Sequence, residues 1–291
     1  MAKDLSVSFP NLGIEFYNLP VTVNIFGIEI AIYGIIIGIG ALAGMLLAFY
    51  EAKKTGQNVE HYIDLALFGI IFAIIGARTY YVIFEWSYYS KHPSEILDLR
   101  NGGLAIYGGI IAGIITAAVV SKIHKIKFLK MADTACLGLI TGQIIGRWGN
   151  FFNREAFGRN STGLFSMLIN TDDNIANVSV PEGVDYIEGT KFIQVQPTFL
   201  YESVWNLCLL ILILILKKYK KFDGEVFAWY IGGYGIGRFI IEAYRTDQLI
   251  IPGLNIPISQ VVSVIMVLVS VGMCVYMRLK LREKKIIKEK E

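Results

Sequence analysis

Residues 28–50 read IEIAIYGIIIGIGALAGMLLAFY, an almost unbroken apolar stretch. Its length is close to the roughly 20 residues a helix needs to cross about 30 Å of hydrocarbon. Comparable runs cover Ile63 to Phe84 and Ser259 to Tyr276. The whole chain follows them: 291 residues, 54% hydrophobic and only 18% charged, where a soluble domain carries about 25% charged residues. This balance excludes a soluble enzyme, a disordered chain and a nucleic-acid-binding domain. The fold class expected is an all-α polytopic membrane protein.

Apolar runs set against their breaks give seven transmembrane helices, at about 28–50, 62–84, 104–120, 132–150, 198–216, 225–244 and 258–277. The breaks separate by charge. Residues 51–61, 121–131, 217–224 and 278–291 hold 17 of the 27 Lys and Arg, whereas 1–27, 85–103, 151–197 and 245–257 hold seven. Basic residues collect on the cytoplasmic side, so the N-terminus is expected outside and the C-terminus inside. Residues 1–291 then form a single integral-membrane domain. The long break 151–197, with turn-forming clusters such as NSTGLFS and INTDDN, is expected to be a small extracytoplasmic subdomain whose fold stays open. Residues 278–291 form a basic cytoplasmic tail. The opening residues lack the basic start and apolar core of a cleaved leader. Cys136, Cys208 and Cys274 all lie in apolar runs, without the spacing of a disulfide framework or metal site.

Three arginines, Arg78, Arg147 and Arg238, fall within or at the edge of spans, where Arg costs about 2.5–3.5 kcal/mol to insert. Such residues need a polar interior, a partner or a ligand, and all three are expected at one depth near the outer leaflet. Two polar runs surround two of them. In GQIIGRWGNFFNREAFGR (142–159), Gln143, Arg147 and Asn150 fall within about 60° of one another on a helix. Gly138, Gly142 and Gly146 repeat at the four-residue spacing that lets helices approach closely. In GGYGIGRFIIEAYRTD (232–247), Tyr234, Arg238, Glu242 and Arg245 share an arc of about 80°. Structural explanations compete: Arg147 locking onto Glu155 or Glu242, and an intrahelical Arg238–Glu242 pair that neutralises itself. Tyr33, Tyr107 and Glu202 are weaker signals, as interfacial aromatics and a carboxylate at a helix start. Guanidinium forks match phosphate oxygens and remain charged at any physiological pH. At outer-leaflet depth the phosphate available is a phospholipid headgroup, which points to a lipid-handling enzyme or transporter.

GRWGNFFNREAFG (146–158) resembles the signature of the prolipoprotein diacylglyceryl transferase family. YGIGRFIIEAYR, QPTFLYE and GARTYYVIF also resemble its segments, in order, and the resemblance runs from Tyr33 to about Ser263. It implies seven spans and transfer of diacylglycerol from phosphatidylglycerol to the lipobox cysteine thiol of a prolipoprotein signal peptide. The products are a thioether and glycerol 1-phosphate, in the bacterial cell membrane. It implies no metal or organic cofactor and no nucleic acid; the partners are membrane lipid and the prolipoprotein. By position, the resemblance assigns Arg238, Glu242, Asn150, Glu155 and Tyr107 to the catalytic set. It assigns Arg147, Tyr33, Tyr234, Gly158 and Glu202 to substrate binding. Tyr107 departs from the pattern, because many members of the family have histidine there. A phenol is a poor base near neutral pH, so Tyr107 is expected to orient lipid or thiol while a carboxylate or water takes the proton. The other reading of the same residues is a phospholipid transporter or scramblase.

Overall fold

A computed structural model of the chain describes residues 4–99, 102–172 and 178–288. The elements begin with β1 (Leu5–Phe9), β2 (Ile14–Tyr17), β3 (Thr22–Ile25) and β4 (Ile28–Ala31). Helices α1 (Ile32–Lys54), α2 (Glu60–Phe84), the single turn α3 (Trp86–Tyr89), α4 (Ile106–Ile123) and α5 (Phe128–Asn153) follow. After β5 (Met167–Asn170) and β6 (Phe192–Val195) come α6 (Thr198–Leu216), α7 (Glu225–Glu242) and α8 (Ile258–Lys288).

The protein is a mostly helical polytopic membrane protein. Among the described residues, α1, α2, α4, α5, α6 and α8 are long and apolar enough to cross a membrane. Helix α7 matches the remaining expected span, 225–244. It is 18 residues long and carries Glu225, Arg238 and Glu242, so its polarity has to be met inside the protein. Much of the other helices' apolar surface faces outward, including Leu42 and Leu46 of α1, Ile211 and Ile215 of α6, and Leu268 and Val271 of α8. Hydrocarbon solvates such faces, and helices satisfy their own backbone within it. The first expected span starts late, because residues 28–31 pair with β3 instead of joining the helix. At the other end, α8 continues to Lys288, so most of the basic tail is helical; residues 289–291 lie outside the described residues.

The chain divides into two compact units, Met1–Gly44 with Leu137–Glu291, and Met45–Cys136. In the first, strands in the order β2-β1-β5-β6 form an antiparallel sheet. The 151–197 break therefore does not fold by itself: β5 pairs with β1, Val7 opposite Ile169. The core beneath joins Val7 and Phe9 to Ile169, Ile193 and Val195. Phe151 and Phe199, whose rings lie 5.2 Å apart, tie that core to the end of α5 and the start of α6. In INTDDN the turn begins at Thr171 and Asp172, while Asp173 and Asn174 lie outside the described residues.

Below the sheet, α1 meets α5 along glycines: the Gly44 position faces the Gly138 carbonyl, and Gly40 faces Gly142. Helix α6 buries Phe199, Glu202, Asn206, Leu209 and Ile213, the three-to-four-residue spacing of one helix face. Helix α7 lies between α6 and α8, and its glycines permit this. A Cβ would meet Leu209 at Gly233, Trp205 at Gly237 and Ser263 at Gly235.

In the Met45–Cys136 unit, α2 crosses α4 at Gly76 and Gly108. Arg78 is buried there, and backbone carbonyls satisfy it. Its Nε donates to Ile96 at 2.8 Å, and its terminal nitrogens donate to Glu95, Gly102 and Gly103 at 2.6–3.0 Å. The Tyr89 ring lies 5.1 Å from its guanidinium carbon. Its partner is thus the loop after its own helix, which accounts for a cation in this position without a ligand. Tyr107 stands half-buried in the first turn of α4.

The glycine contact yields a test. Gly44→Ala places a methyl against the Gly138 backbone and is expected to destabilise by about 1–3 kcal/mol. Gly38→Ala, on the same helix with nothing within 4 Å, is expected to be neutral. Thermal unfolding of the purified proteins in one detergent checks the contrast.

Candidate functional site

The polar face of α7 points at α6, and the two helices meet on a carboxylate. Glu202 has a side chain 3% exposed and receives three arginines from separate chain segments. Arg147 of α5 reaches Oε2 at 2.5 Å. Arg238 of α7 reaches Oε1 at 2.7 Å, and Arg245, just beyond α7, reaches the same oxygen at 3.1 Å. Glu242 supplies a second buried carboxylate, 2.5 Å from the other terminal nitrogen of Arg238. Arg245 is also held by Asp247 through two parallel hydrogen bonds of 2.9 and 2.7 Å. Burial tends to raise the Asp247 carboxyl, but its hydrogen bonds to Arg245 and the guanidinium charge outweigh that and hold it below the usual carboxylate range.

Three cations thus face three anions. A buried ion pair costs several kcal/mol per ion in desolvation, and good geometry with further hydrogen bonds has to return it. The members are not equally committed. Arg245 is 11% exposed and spans Glu202 and Asp247, and Arg238 is 16% exposed and bridges both buried glutamates. Arg147 is the most open, 22% exposed, with one ion-pair contact through one terminal nitrogen. Its remaining donors are the ones available to an incoming anion.

The signature segment forms the rim. Helix α5 stops at Asn153, and Arg154 and Ala156 then take positive φ angles of 53° and 55°, the left-handed geometry that ends helices. The reversal returns Glu155 to the helix it has just left. Asn150 Nδ2 donates to Glu155 Oε1 at 2.9 Å, and the Glu155 amide donates to the Asn150 carbonyl at 3.1 Å. Arg154 is buried and donates to the Leu19 carbonyl at 2.5 Å, tying the turn to the N-terminal strands. Tyr33, in the first turn of α1, lies across the α5 backbone: a Cβ on Gly149 would come within 2.6 Å of its ring.

Gly158 has a packing reason to be glycine. Its amide donates to the Gln196 carbonyl at 2.9 Å, and the Arg159 amide donates to Tyr244 at 3.0 Å. A Cβ at Gly158 would stand 2.9 Å from the Gln196 Cβ and 3.0 Å from the Tyr244 carbonyl. The loop is thus stitched between the entry to α6 and the exit from α7, which fixes the segment that carries Arg245. Tyr234 stands one turn inward from Arg238, its ring 6.1 Å from that of Tyr230.

Of the residues singled out in the sequence, Arg147, Glu202, Arg238 and Glu242 meet in one network, and Asn150 pairs with Glu155 beside it. Arg147 pairs with Glu202, however, and not with Glu155 or Glu242. The intrahelical Arg238–Glu242 pair exists but is only part of the network. Tyr107 lies in the Met45–Cys136 unit. Arg245 and Asp247 were missing from the expected set. The helical arc drawn through Arg245 was the available signal, although α7 ends at Glu242 and both Arg245 and Asp247 lie past it.

Comparison with known proteins bears on the chain as a whole. The family model described as prolipoprotein diacylglyceryl transferase matches residues 20–276. The chain is 41% identical to the phosphatidylglycerol–prolipoprotein diacylglyceryl transferase of Bacillus licheniformis over 276 residues, 95% of this chain and 96% of that one. It is 44% identical to the protein of that name from Bacillus mycoides over 237 residues, 81% and 84% of the two chains. With the Listeria innocua protein of the same name it shares 40% over 262 residues, 90% and 91%. By the extent of these matches, the chain belongs to the prolipoprotein diacylglyceryl transferase family.

Proposed function

We propose that this protein is a transferase that moves the diacylglyceryl group of phosphatidylglycerol onto the lipobox cysteine of a prolipoprotein signal peptide. The observation that carries the reading is a set of three guanidiniums held at a membrane helix end, in a chain 41% identical over nearly its full length to a curated phosphatidylglycerol–prolipoprotein diacylglyceryl transferase. The basic residues of 51–61, 121–131, 217–224 and 278–291 support an inside C-terminus and an outside N-terminus. The site then faces the outer leaflet of the bacterial cytoplasmic membrane, with 151–197 extracytoplasmic.

The reaction asks for two things. The nucleophile is the thiolate, and a free thiol has a pKa near 8.5. The thiolate attacks the glycerol carbon that bears the phosphate. A C–S bond forms, the C–O bond breaks, and its electrons leave with glycerol 1-phosphate, while the thiol proton passes to a carboxylate or water. Negative charge therefore grows on a phosphate oxygen. Arg147, with its open donors, binds the headgroup phosphate, and Arg238 stabilises the oxygen that departs. Both are oriented by Glu202 and Glu242 before substrate arrives, so little reorganisation is needed as charge develops. Asn150 and Glu155 form the polar rim beside Arg147, Tyr33 and Tyr234 line its flanks, and Gly158 keeps the loop in register. Tyr107 orients lipid or thiol.

Mass spectrometry of a lipobox peptide incubated with purified protein and phosphatidylglycerol tests the reading. A diacylglyceryl mass on the cysteine is expected. Arg238→Ala should lower kcat by about 10²–10³-fold, the loss typical of one preorganised oxyanion donor. Arg147→Ala should act mainly on KM, by about 10–150-fold, the equivalent of a charge-assisted hydrogen bond. No adduct from folded wild-type protein would overturn the transferase reading in favour of lipid transport.

Tyr107→Phe is expected to keep transfer within about tenfold of wild type, since at most one neutral hydrogen bond is lost. Complete loss of activity in a folded Tyr107→Phe protein would instead make the hydroxyl part of the chemistry.

A further inference from the structure

One helical turn inward from the ion pairs, the same three helices carry a second set of polar side chains. Arg147 of α5 is followed inward by Gln143, Glu202 of α6 by Asn206, and Arg238 of α7 by Tyr234. Each step is four residues, so each partner lies about 40° around its helix and about 6 Å along the axis. Since Glu202 touches both Arg147 and Arg238, this spacing places the three inner residues in one layer. Asn206 is 2% exposed and belongs to the buried face of α6. Its Nδ2 is buried without a hydrogen-bond partner, and so is Oε1 of Gln143.

Two unpaired amides at this depth need an explanation. An unsatisfied buried polar group costs about 1–3 kcal/mol, and an apolar residue would remove that cost. The neighbouring positions on the α6 face, Leu209 and Ile213, are apolar. The amides lie on the far side of the arginines from the sheet, so a ligand whose phosphate meets the arginines extends past them into the hydrocarbon. In a glycerophospholipid the next polar groups after the phosphate are the two esters on the glycerol backbone, whose carbonyl oxygens are their strong acceptors. Those oxygens only accept hydrogen bonds. Asn206 Nδ2 is a donor, and the Gln143 amide presents its NH2 group when it turns about its last torsion.

We propose that Asn206 and Gln143 bind the ester carbonyls of the diacylglyceryl group and so select a diester lipid. The proposal rests on the transferase reading above and adds a second contact to it. The arginines hold the part of the lipid that leaves, and the amides hold the part that is transferred. With both ends fixed, the carbon under attack is held between them. The amides act as substrate-binding groups and take no part in bond making.

The test compares phosphatidylglycerol with its dialkyl ether analogue, which keeps the headgroup and chains but lacks the carbonyls. The readout is the thioether adduct on a lipobox peptide, with KM and kcat measured for each lipid using the full-length protein. Wild type is expected to show a KM about tenfold lower for the diester, the equivalent of one well-made hydrogen bond. Asn206→Leu replaces an unpaired amide with an apolar group of similar size, and should fold as wild type does. It is expected to raise the diester KM toward the ether value, since Gln143 remains, and leave the ether KM and kcat within about twofold. A merely structural role would shift both lipids together. Equal use of both lipids by wild type, or an undiminished diester preference in folded Asn206→Leu, overturns the proposal. If Asn206→Leu does not accumulate as folded protein, Gln143→Met on the facing helix decides by the same ratio. Absence of any adduct from wild type with either lipid would instead bring down the transferase reading, and this inference with it.

Discussion

The Glu202 carboxylate is the point on which the site turns. Its two oxygens gather Arg147, Arg238 and Arg245 from α5, α7 and the segment after α7. Without that charge, three guanidiniums would sit together at the edge of a low-dielectric region, where like charges repel strongly and desolvation is costly. With it, each arginine has a partner and a fixed direction. The helices converge here for the same reason: their cations need a common anion, and α6 supplies it one turn inside its start.

That convergence depends on backbone geometry at a distance from the charges. Helix α7 approaches α6 closely only because Gly233 and Gly237 leave room for Leu209 and Trp205. The depth of Arg245 is set by the loop beyond α5. Residues 158 and 159 pair with both 196 and 244, which locks the exit of α7 to the entry of α6. The Phe151–Phe199 contact and the strands above hold the end of α5 against that same entry to α6. A site made of side chains on three helices thus inherits its precision from a sheet that contributes none of those side chains.

Much of this was readable in the amino-acid order, and the failures have physical causes. The arc of Tyr234, Arg238 and Glu242 followed from helical periodicity alone and stands as one face of α7, whereas Arg245, expected on the same arc, lies past the helix end and reaches Glu202 from the segment beyond it. The partner of Arg147 did not follow. Glu202 reads as an exposed carboxylate at a helix start, and only the tertiary fold covers it. The strands were hidden for another reason: β1 finds its partner β5 about 160 residues later, and a four- or five-residue strand carries little periodic signal by itself. Residues 28–31 read as the start of a span because only Glu29 interrupts the apolar run there, although their backbone pairs with β3. The unpaired amide of Asn206 was also out of reach, since an asparagine in an apolar run does not announce which helix face it occupies.

Charge balance within the network shapes how an anion enters it. Three arginines are matched by Glu202, Glu242 and Asp247 in number, so a phosphate does not meet an uncompensated positive cluster. It has to find donors that the carboxylates leave open, and the geometry offers those chiefly at Arg147, which meets Glu202 through one terminal nitrogen and has the most exposed side chain of the three arginines. Arg238 is tied at both terminal nitrogens. It therefore contributes field and direction more than free donors to an incoming headgroup. In the proposed reaction this division is useful. Modest ground-state attraction at Arg147 holds the lipid, whereas the fixed charge at Arg238 gains importance as the C–O bond breaks and a second negative charge develops on the departing phosphate. An interaction stronger in the transition state than in the bound substrate is the kind that raises the rate of the chemical step. An oriented, carboxylate-braced guanidinium meets that requirement better than a loose one.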